Sequence, residues 1–224
     1  MREITLDTET TGLSSENGDK LVEIGCLELV NHVPTGNKYH CYINPQRSMP
    51  SAAEAVHGLT EKFLAEKPVF CEIASDFLKF IADSPLVIHN ASFDMGFINK
   101  ELEDIGLTPI PHTRAIDTVL LARRKFPGAP ASLDALCRRF GINNEHRTLH
   151  GALLDAELLA EVYLELKGGR QPDLVLREVN SKNIEEIDRR NSVVRSARPH
   201  SPSLEELNAH RKFINSIDDP IWSK

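Results

Sequence analysis

The stretch "ITLDTETTG", Ile4 to Gly12, constrains the chain more than any other. Ile4, Thr5 and Leu6 read as a strand, yet the run goes straight into two carboxylates, Asp7 and Glu9, a residue class that strands avoid. Residues two apart on a strand share a face about 6.6 Å from one another, so Asp7 and Glu9 converge while Leu6 faces the opposite way. Carboxylates this close repel, and one of them takes up a proton unless a cation lies between them. A solvated strand end is the other reading of an isolated DxE, so the decision falls to the rest of the chain.

Three strand-like runs come first, Ile4 to Asp7, Leu21 to Leu29 and Tyr39 to Ile43, separated by the turn formers "SSENGD" and "VPTGN". Helical periodicity follows at Ala52 to Val56, Thr60 to Glu66 and Phe70 to Ala82, where Ile73, Phe77, Phe80 and Ile81 share a face. The strand "LVIH", Leu86 to His89, then breaks into a helix over Phe93 to Ile105. Further helices are predicted at Thr118 to Phe126, Leu133 to Phe140 and Gly151 to Lys167, the last stopped by Gly168 and Gly169. Beyond Gly169 the large apolar residues thin out and the chain reads as a flexible tether. A helical pattern returns with Leu204, Leu207 and Phe213 and closes on Trp222.

Two further aspartates decide the question raised by the first strand. Asp94 shares a helical stripe with Phe97, Ile98 and Ile105, and Asp155 lies on the face of Leu158, Leu159 and Val162. A carboxylate on the packing side of a helix either caps that helix or holds a cation, because burying it unpaired is costly. Asn90 and Ser92 are alternative caps for the helix of Asp94. His150 precedes Asp155 by five residues, about 140 degrees round an ideal helix, so it must sit at or before the helix start to reach the same site. Four carboxylates and a histidine suit phosphodiester hydrolysis assisted by two Mg2+ or Mn2+ ions on oxygen ligands about 4 Å apart, with the histidine accepting the water proton.

Composition agrees with a nuclease that does not coat its substrate. The net charge is -7, and residues 1 to 167 hold 16 basic against 24 acidic side chains, which excludes a broad basic DNA-binding surface. No apolar run reaches the roughly 18 residues of a membrane span and no basic, apolar leader opens the sequence, so a cytoplasmic protein is expected. Four widely spaced cysteines, Cys26, Cys41, Cys71 and Cys137, read as small buried hydrophobes.

"LDTETTG" at Leu6 to Gly12, "HNASFD" at His89 to Asp94 and "HGALLDA" at His150 to Ala156 resemble the three motifs of the DEDDh branch of 3'-5' exonucleases. Intervening phrases, among them "VEIG", "VHGLT", "SLDALC" and "AEVYL", resemble the epsilon, or proofreading, family of bacterial DNA polymerase III. The resemblance spans about residues 3 to 170. It implies an α/β, RNase H-like fold, a mixed five-stranded sheet flanked by helices, with a fifth strand near Arg114 to Ile116. By the same likeness Asp7, Glu9, Asp94 and Asp155 are metal ligands, and His150 is the general base. Thr10 and Leu13 would contact the 3'-terminal nucleotide, His57 would line its pocket and Phe93 would pack near its sugar or base. The chain departs from the family at "PSAAEA", where alanine stands in place of a frequent acid.

The domain reading is therefore an exonuclease domain over 1–169 and a linker with a polymerase-binding segment over 170–224. In that tail, "QPDLVL" resembles the peptide with which replication proteins bind the sliding clamp, through Gln171, Leu174 and Leu176. The terminal segment resembles the one that docks on the DNA polymerase III alpha subunit, with Phe213 and Trp222 as anchors. The expected function is a metal-dependent 3'-5' exodeoxyribonuclease acting on single-stranded or frayed DNA primer ends and releasing 5' monophosphates. RNA 3'-end trimming and a non-catalytic structural subunit remain as alternatives.

Overall fold

The computed structural model describes residues 1–144, 149–169 and 201–218. The chain divides into two units, Met1–Leu174 and Val175–Lys224. The first holds a five-stranded sheet in the order β3-β2-β1-β4-β5, built from β1 (Arg2–Thr10), β2 (Leu21–Val30), β3 (Val33–Tyr42), β4 (Leu86–Ile88) and β5 (Ala115–Asp117). β1 is central, antiparallel to β2 and parallel to β4, and β4 is parallel to β5. The sheet is mixed, as the resemblance implies, and the fifth strand falls at the expected place.

Alternation along β1 sends residues to two different layers. Ile4 and Leu6 join Phe77, Ile81, Phe97 and Ile98, from α3 (Phe70–Ile81) and α4 (Ala91–Asp104), in the larger apolar cluster. On the other face Leu27, Leu29 and Val87 pack on Ala160 and Tyr163 of α7 (Ala152–Leu166). α5 (Thr118–Lys125) and α6 (Leu133–Phe140) complete that layer. Two short helices, α1 (Ser51–His57) and α2 (Glu61–Leu64), link β3 to α3.

The pleat puts the acid-bearing end of β1 beside the ends of its parallel neighbours, where β4 runs into α4 and β5 into α5. At the opposite end Glu3 is fully buried, accepting the Tyr163 hydroxyl at 2.8 Å and meeting His32 Nδ1 at 2.7 Å.

Three local expectations are corrected. β3 begins at Val33, so the turn formers Pro34 and Gly36 lie inside a strand. It is an edge strand, where proline's missing N–H need face no partner, and the β2–β3 register shifts between Leu27 and Leu29. α4 starts two residues early, at Ala91, with Asn90 at φ 67° and no cap from its side chain. The Asp117 carboxylate accepts the Ala91 N–H at 3.2 Å and, with its other oxygen, caps α5 at the Val119 N–H, 2.8 Å. Finally, Cys26 and Cys137 are buried as expected, but Cys41 is half-buried and Cys71 exposed on the outer side of α3.

In the second unit α8 (Leu204–Ile214) opens on a capping box. Ser203 Oγ accepts the Glu206 N–H, and Glu206 returns a carboxylate to the Ser203 N–H at 2.7 Å. Leu204, Leu207 and Phe213 on this helix are exposed.

Candidate active site

The strand carrying Asp7 and Glu9 extends through both residues to Thr10, paired throughout with β2. A register shift between Glu9 and Thr10 re-aims the end of the strand. Glu9 is opposite Glu23 and Asp7 opposite Gly25. Gly25 is required there: a Cβ would lie 2.3 Å from the Ala152 carbonyl carbon and the Leu153 nitrogen, so only glycine lets the first turn of α7 come down onto the sheet. That turn carries Asp155, 3% exposed.

Among the described residues, one group of three metal-ligating side chains lies together: Glu9, His150 and Asp155, with a donor atom from each within 4.8 Å of the others. His150 sits two residues before α7, in the position the helix geometry demands, and its Nδ1 is 3.3 Å from Asp155 Oδ2. Held by Nδ1, the ring offers Nε2 as its basic nitrogen. The imidazole is 47% exposed, while the Asp155 carboxylate is buried.

Asp94, on α4, meets β1 at Thr8. Its carboxylate accepts the hydroxyl proton of Thr8, the residue between Asp7 and Glu9, at 2.7 Å. Burial pushes the Asp94 carboxyl up to about 7, against the Thr8 hydrogen bond and with help from the charge of Asp117. Asp7 is half-buried on the same strand. Neither Asp7 nor Asp94 belongs to the group of three. Three buried carboxyls, Glu9, Asp94 and Asp155, together with half-buried Asp7 on the same strand as Glu9, are hard oxygen donors. Such a set fits hard divalent cations.

The expected substrate residues lie on four separate segments: the end of β1, the loop after it, the end of α1 and the first turn of α4. Thr10 is buried and its hydroxyl donates to the Gly12 carbonyl at 2.5 Å, shaping the turn that leaves Leu13 86% exposed. Asp19 secures the same loop, accepting the Ser14 N–H at 3.1 Å. His57, at the end of α1, accepts the Leu59 N–H on Nδ1 at 3.0 Å, while its buried Nε2 has no hydrogen-bond partner. Burial pushes that imidazole down; the Thr10 carbonyl pulls the other way from a position that does not complete a hydrogen bond. Phe93 is half-buried, its ring 4.9 Å from that of Phe97. Phe213 is exposed on α8, and Gln171, Leu174, Leu176 and Trp222 lie outside the described residues.

Sequence reasoning passed over Thr8, Asp117 and Glu23. The last is a buried glutamate opposite Glu9, paired with His40 Nε2 at 2.7 Å. Its signal was an acid inside the apolar run "LVEIGCLEL"; Thr8 gives none, since a threonine in a strand is ordinary.

A mixed sheet ending in carboxylates on its central strand, with an aspartate delivered by a helix on either face, is the RNase H-like nuclease arrangement. The chain belongs to the exonuclease family designated RNase_T, which matches residues 4–163. It is 50% identical to the DNA polymerase III subunit epsilon of Rickettsia typhi, with 97% of each chain covered. Against the subunit of the same name from Haemophilus influenzae it is 42% identical, covering all of this chain and 95% of that one. Exonuclease X in complex with 5' overhanging duplex DNA superposes with a TM-score of 0.58 at 28% identity, over 74% of this chain and 90% of that one. The nuclease domain of 3'hExo, a DEDDh family member, shares the fold at a TM-score of 0.64 and 16% identity, over 75% of this chain and 92% of that one.

Proposed function

We propose that this exonuclease removes nucleotides from the 3' end of a DNA primer as the proofreading subunit of a bacterial replicative polymerase. The convergence of Glu9, His150 and Asp155 is the observation that carries the reading. The naming of relatives that match over nearly the whole chain supports the polymerase context. Asp7, Glu9, Asp94 and Asp155 would hold two divalent cations, Mg2+ or Mn2+, which when bound neutralise the scissile phosphate and lower the pKa of the attacking water. His150 takes the proton from that water through Nε2, with Asp155 orienting the ring through Nδ1. The orphaned Nε2–H of His57 gives the pocket a hydrogen-bond donor for the terminal nucleotide. Leu13 supplies an apolar surface, and Phe93 lines the wall.

On this reading mispaired ends are preferred because they fray, supplying a single-stranded terminus at lower cost than a matched pair. Residues 1–169 carry the chemistry and 170–224 the attachment, through Gln171, Leu174 and Leu176 to the clamp and through Phe213 and Trp222 to the alpha subunit. Among the described residues no helix is long and apolar enough to cross a membrane, in keeping with a cytoplasmic replication protein. The test is digestion of matched DNA and RNA oligonucleotides labelled at the 5' end, in Mg2+ and in Mn2+. DNA shortening should vanish in Asp7→Ala and slow by about 100-fold in His150→Ala. Unchanged rates in Asp7→Ala would sink the metal assignment, and faster RNA digestion would replace the DNA reading with RNA trimming.

A further inference from the structure

We infer that the C-terminal turn of α1 is the seat that holds His150 over Glu9 and Asp155, with Gly58 and Leu149 as its positioning residues. The inference rests on His150 being the general base. Asp155 is fixed by α7 and by burial, but His150 has neither support: it precedes the helix, and nearly half of its ring is exposed. What holds its backbone comes from a distant part of the sequence. The His150 N–H donates to the Val56 carbonyl at 3.1 Å. Val56 belongs to the last turn of α1, where carbonyls have no partner within the helix. One of these orphans is therefore spent on the backbone of the base.

The neighbouring side chain repeats the contact. Gly58 closes α1 at φ 72°, its N–H donating to the Glu54 carbonyl at 2.7 Å. A Cβ on Gly58 would come within 2.7 Å of Leu149 Cδ1, so Leu149 lies directly over the bare glycine. A leucine that remains 50% exposed on a loop contributes little to the core; its covered side serves the α1 turn.

Between Val56 and Gly58 stands His57, whose buried Nε2 is the proposed donor to the terminal nucleotide. One turn of backbone thus carries both the nucleotide contact and the anchor of the base. A nucleotide displaced in the pocket would shift the turn and with it the imidazole, so seating of the 3' end and placement of the base are mechanically linked.

The test uses the full chain and single-turnover hydrolysis of a single-stranded DNA 3' end. Leu149→Ala should lower kcat by about 10-fold while KM stays within about twofold, since an imidazole displaced by a fraction of an ångström loses its alignment. Mn2+ binding by calorimetry and the melting temperature should match the parent, and Leu149→Met should restore the rate. The decisive arm is the double variant: with His150→Ala already present, Leu149→Ala should have no further effect, because residues acting through one group are not additive. An equal 10-fold loss in the His150→Ala background would overturn the seat while leaving His150 as the base. A parent-like rate in Leu149→Ala would do the same. Parent-like activity in His150→Ala would remove the base itself, and the seat with it. Gly58→Ala is the second probe; its effect should likewise disappear in the His150→Ala background.

Discussion

Replacing Gly25 by alanine tests whether glycine in the "VEIG" run lets α7 bring Asp155 down onto the sheet. The new Cβ would meet main-chain atoms of Ala152 and Leu153 at 2.3 Å, where ordinary contact begins at 3.4 Å. Main chain cannot rotate out of the way, so the first turn of α7 must withdraw by about 1 Å, and Asp155 goes with it. A 1 Å misplacement at a reacting centre typically removes about 100-fold in rate, equivalent to about 2.7 kcal/mol of transition-state stabilisation. Overpacking should also reduce stability by about 1–3 kcal/mol, a fall of several degrees in melting temperature that still leaves a folded protein. The assay is hydrolysis of a single-stranded DNA 3' end at saturating Mn2+, run beside thermal melting and Mn2+ calorimetry. Gly96→Ala is the control, since its Cβ meets nothing closer than Ser15 Oγ at 4.0 Å. That change should add about 0.5–1 kcal/mol of helix stability without loss of rate. If Gly25→Ala retained a rate within about threefold of the parent and melted at the same temperature, the close approach of α7 would not be what positions Asp155.

Two further expectations concern burial. Because burial lifts the Asp94 carboxyl from 3.8 to about 7, the metal-free folded protein keeps a proton that the unfolded chain has already lost. Its stability should therefore fall as pH rises through that window, by on the order of 4 kcal/mol. In thermal melts without metal, the advantage of Asp94→Asn over the parent should grow from pH 4 to pH 8, and a pH-independent difference would contradict the assignment. Tyr163→Phe removes the 2.8 Å hydrogen bond to fully buried Glu3 and should lower stability by about 1.5–3 kcal/mol in denaturant titrations. Exonuclease activity should survive, since Tyr163 is two turns, about 12 Å, along α7 from Asp155.

Four of the strands, most of the helices and the five proposed catalytic residues each left a periodic or compositional mark in the sequence, while the mixed five-stranded sheet flanked by helices followed from the family resemblance and the strand order was not legible. Asp94 and Asp155 stood out as charges on apolar stripes, and His150 could be placed before its helix from the 100° step alone. What escaped was whatever depends on a tertiary neighbour. Pro34 and Gly36 read as a turn because nothing local says that β3 is an edge. Asp117 capping α4 from another element, Thr8 binding Asp94 across the strand and Leu149 over Gly58 are contacts between segments far apart in the chain. Cys71 sits in the helical pattern of α3 and only the position of that helix on the sheet decides that it faces outward.

The distribution of burial also says where this site can vary. Glu9, Asp94 and Asp155 are held by a central strand, a hydroxyl on that strand and a helix pressed onto a glycine, and all three are nearly inaccessible. The anionic floor is thus fixed before any substrate arrives. His150 is the exposed member, tied to Asp155 at 3.3 Å and to α1 through one main-chain hydrogen bond. On the proposed reading, cations at these acids and a nucleotide at the α1 turn would both act on His150, the most exposed residue of the group. With 24 acidic against 16 basic side chains over residues 1–167, this unit gains no long-range attraction to a polyanion. On the proposed reading a frayed end is brought to it, and the effective concentration conferred by attachment to a polymerase would supply what its own surface lacks.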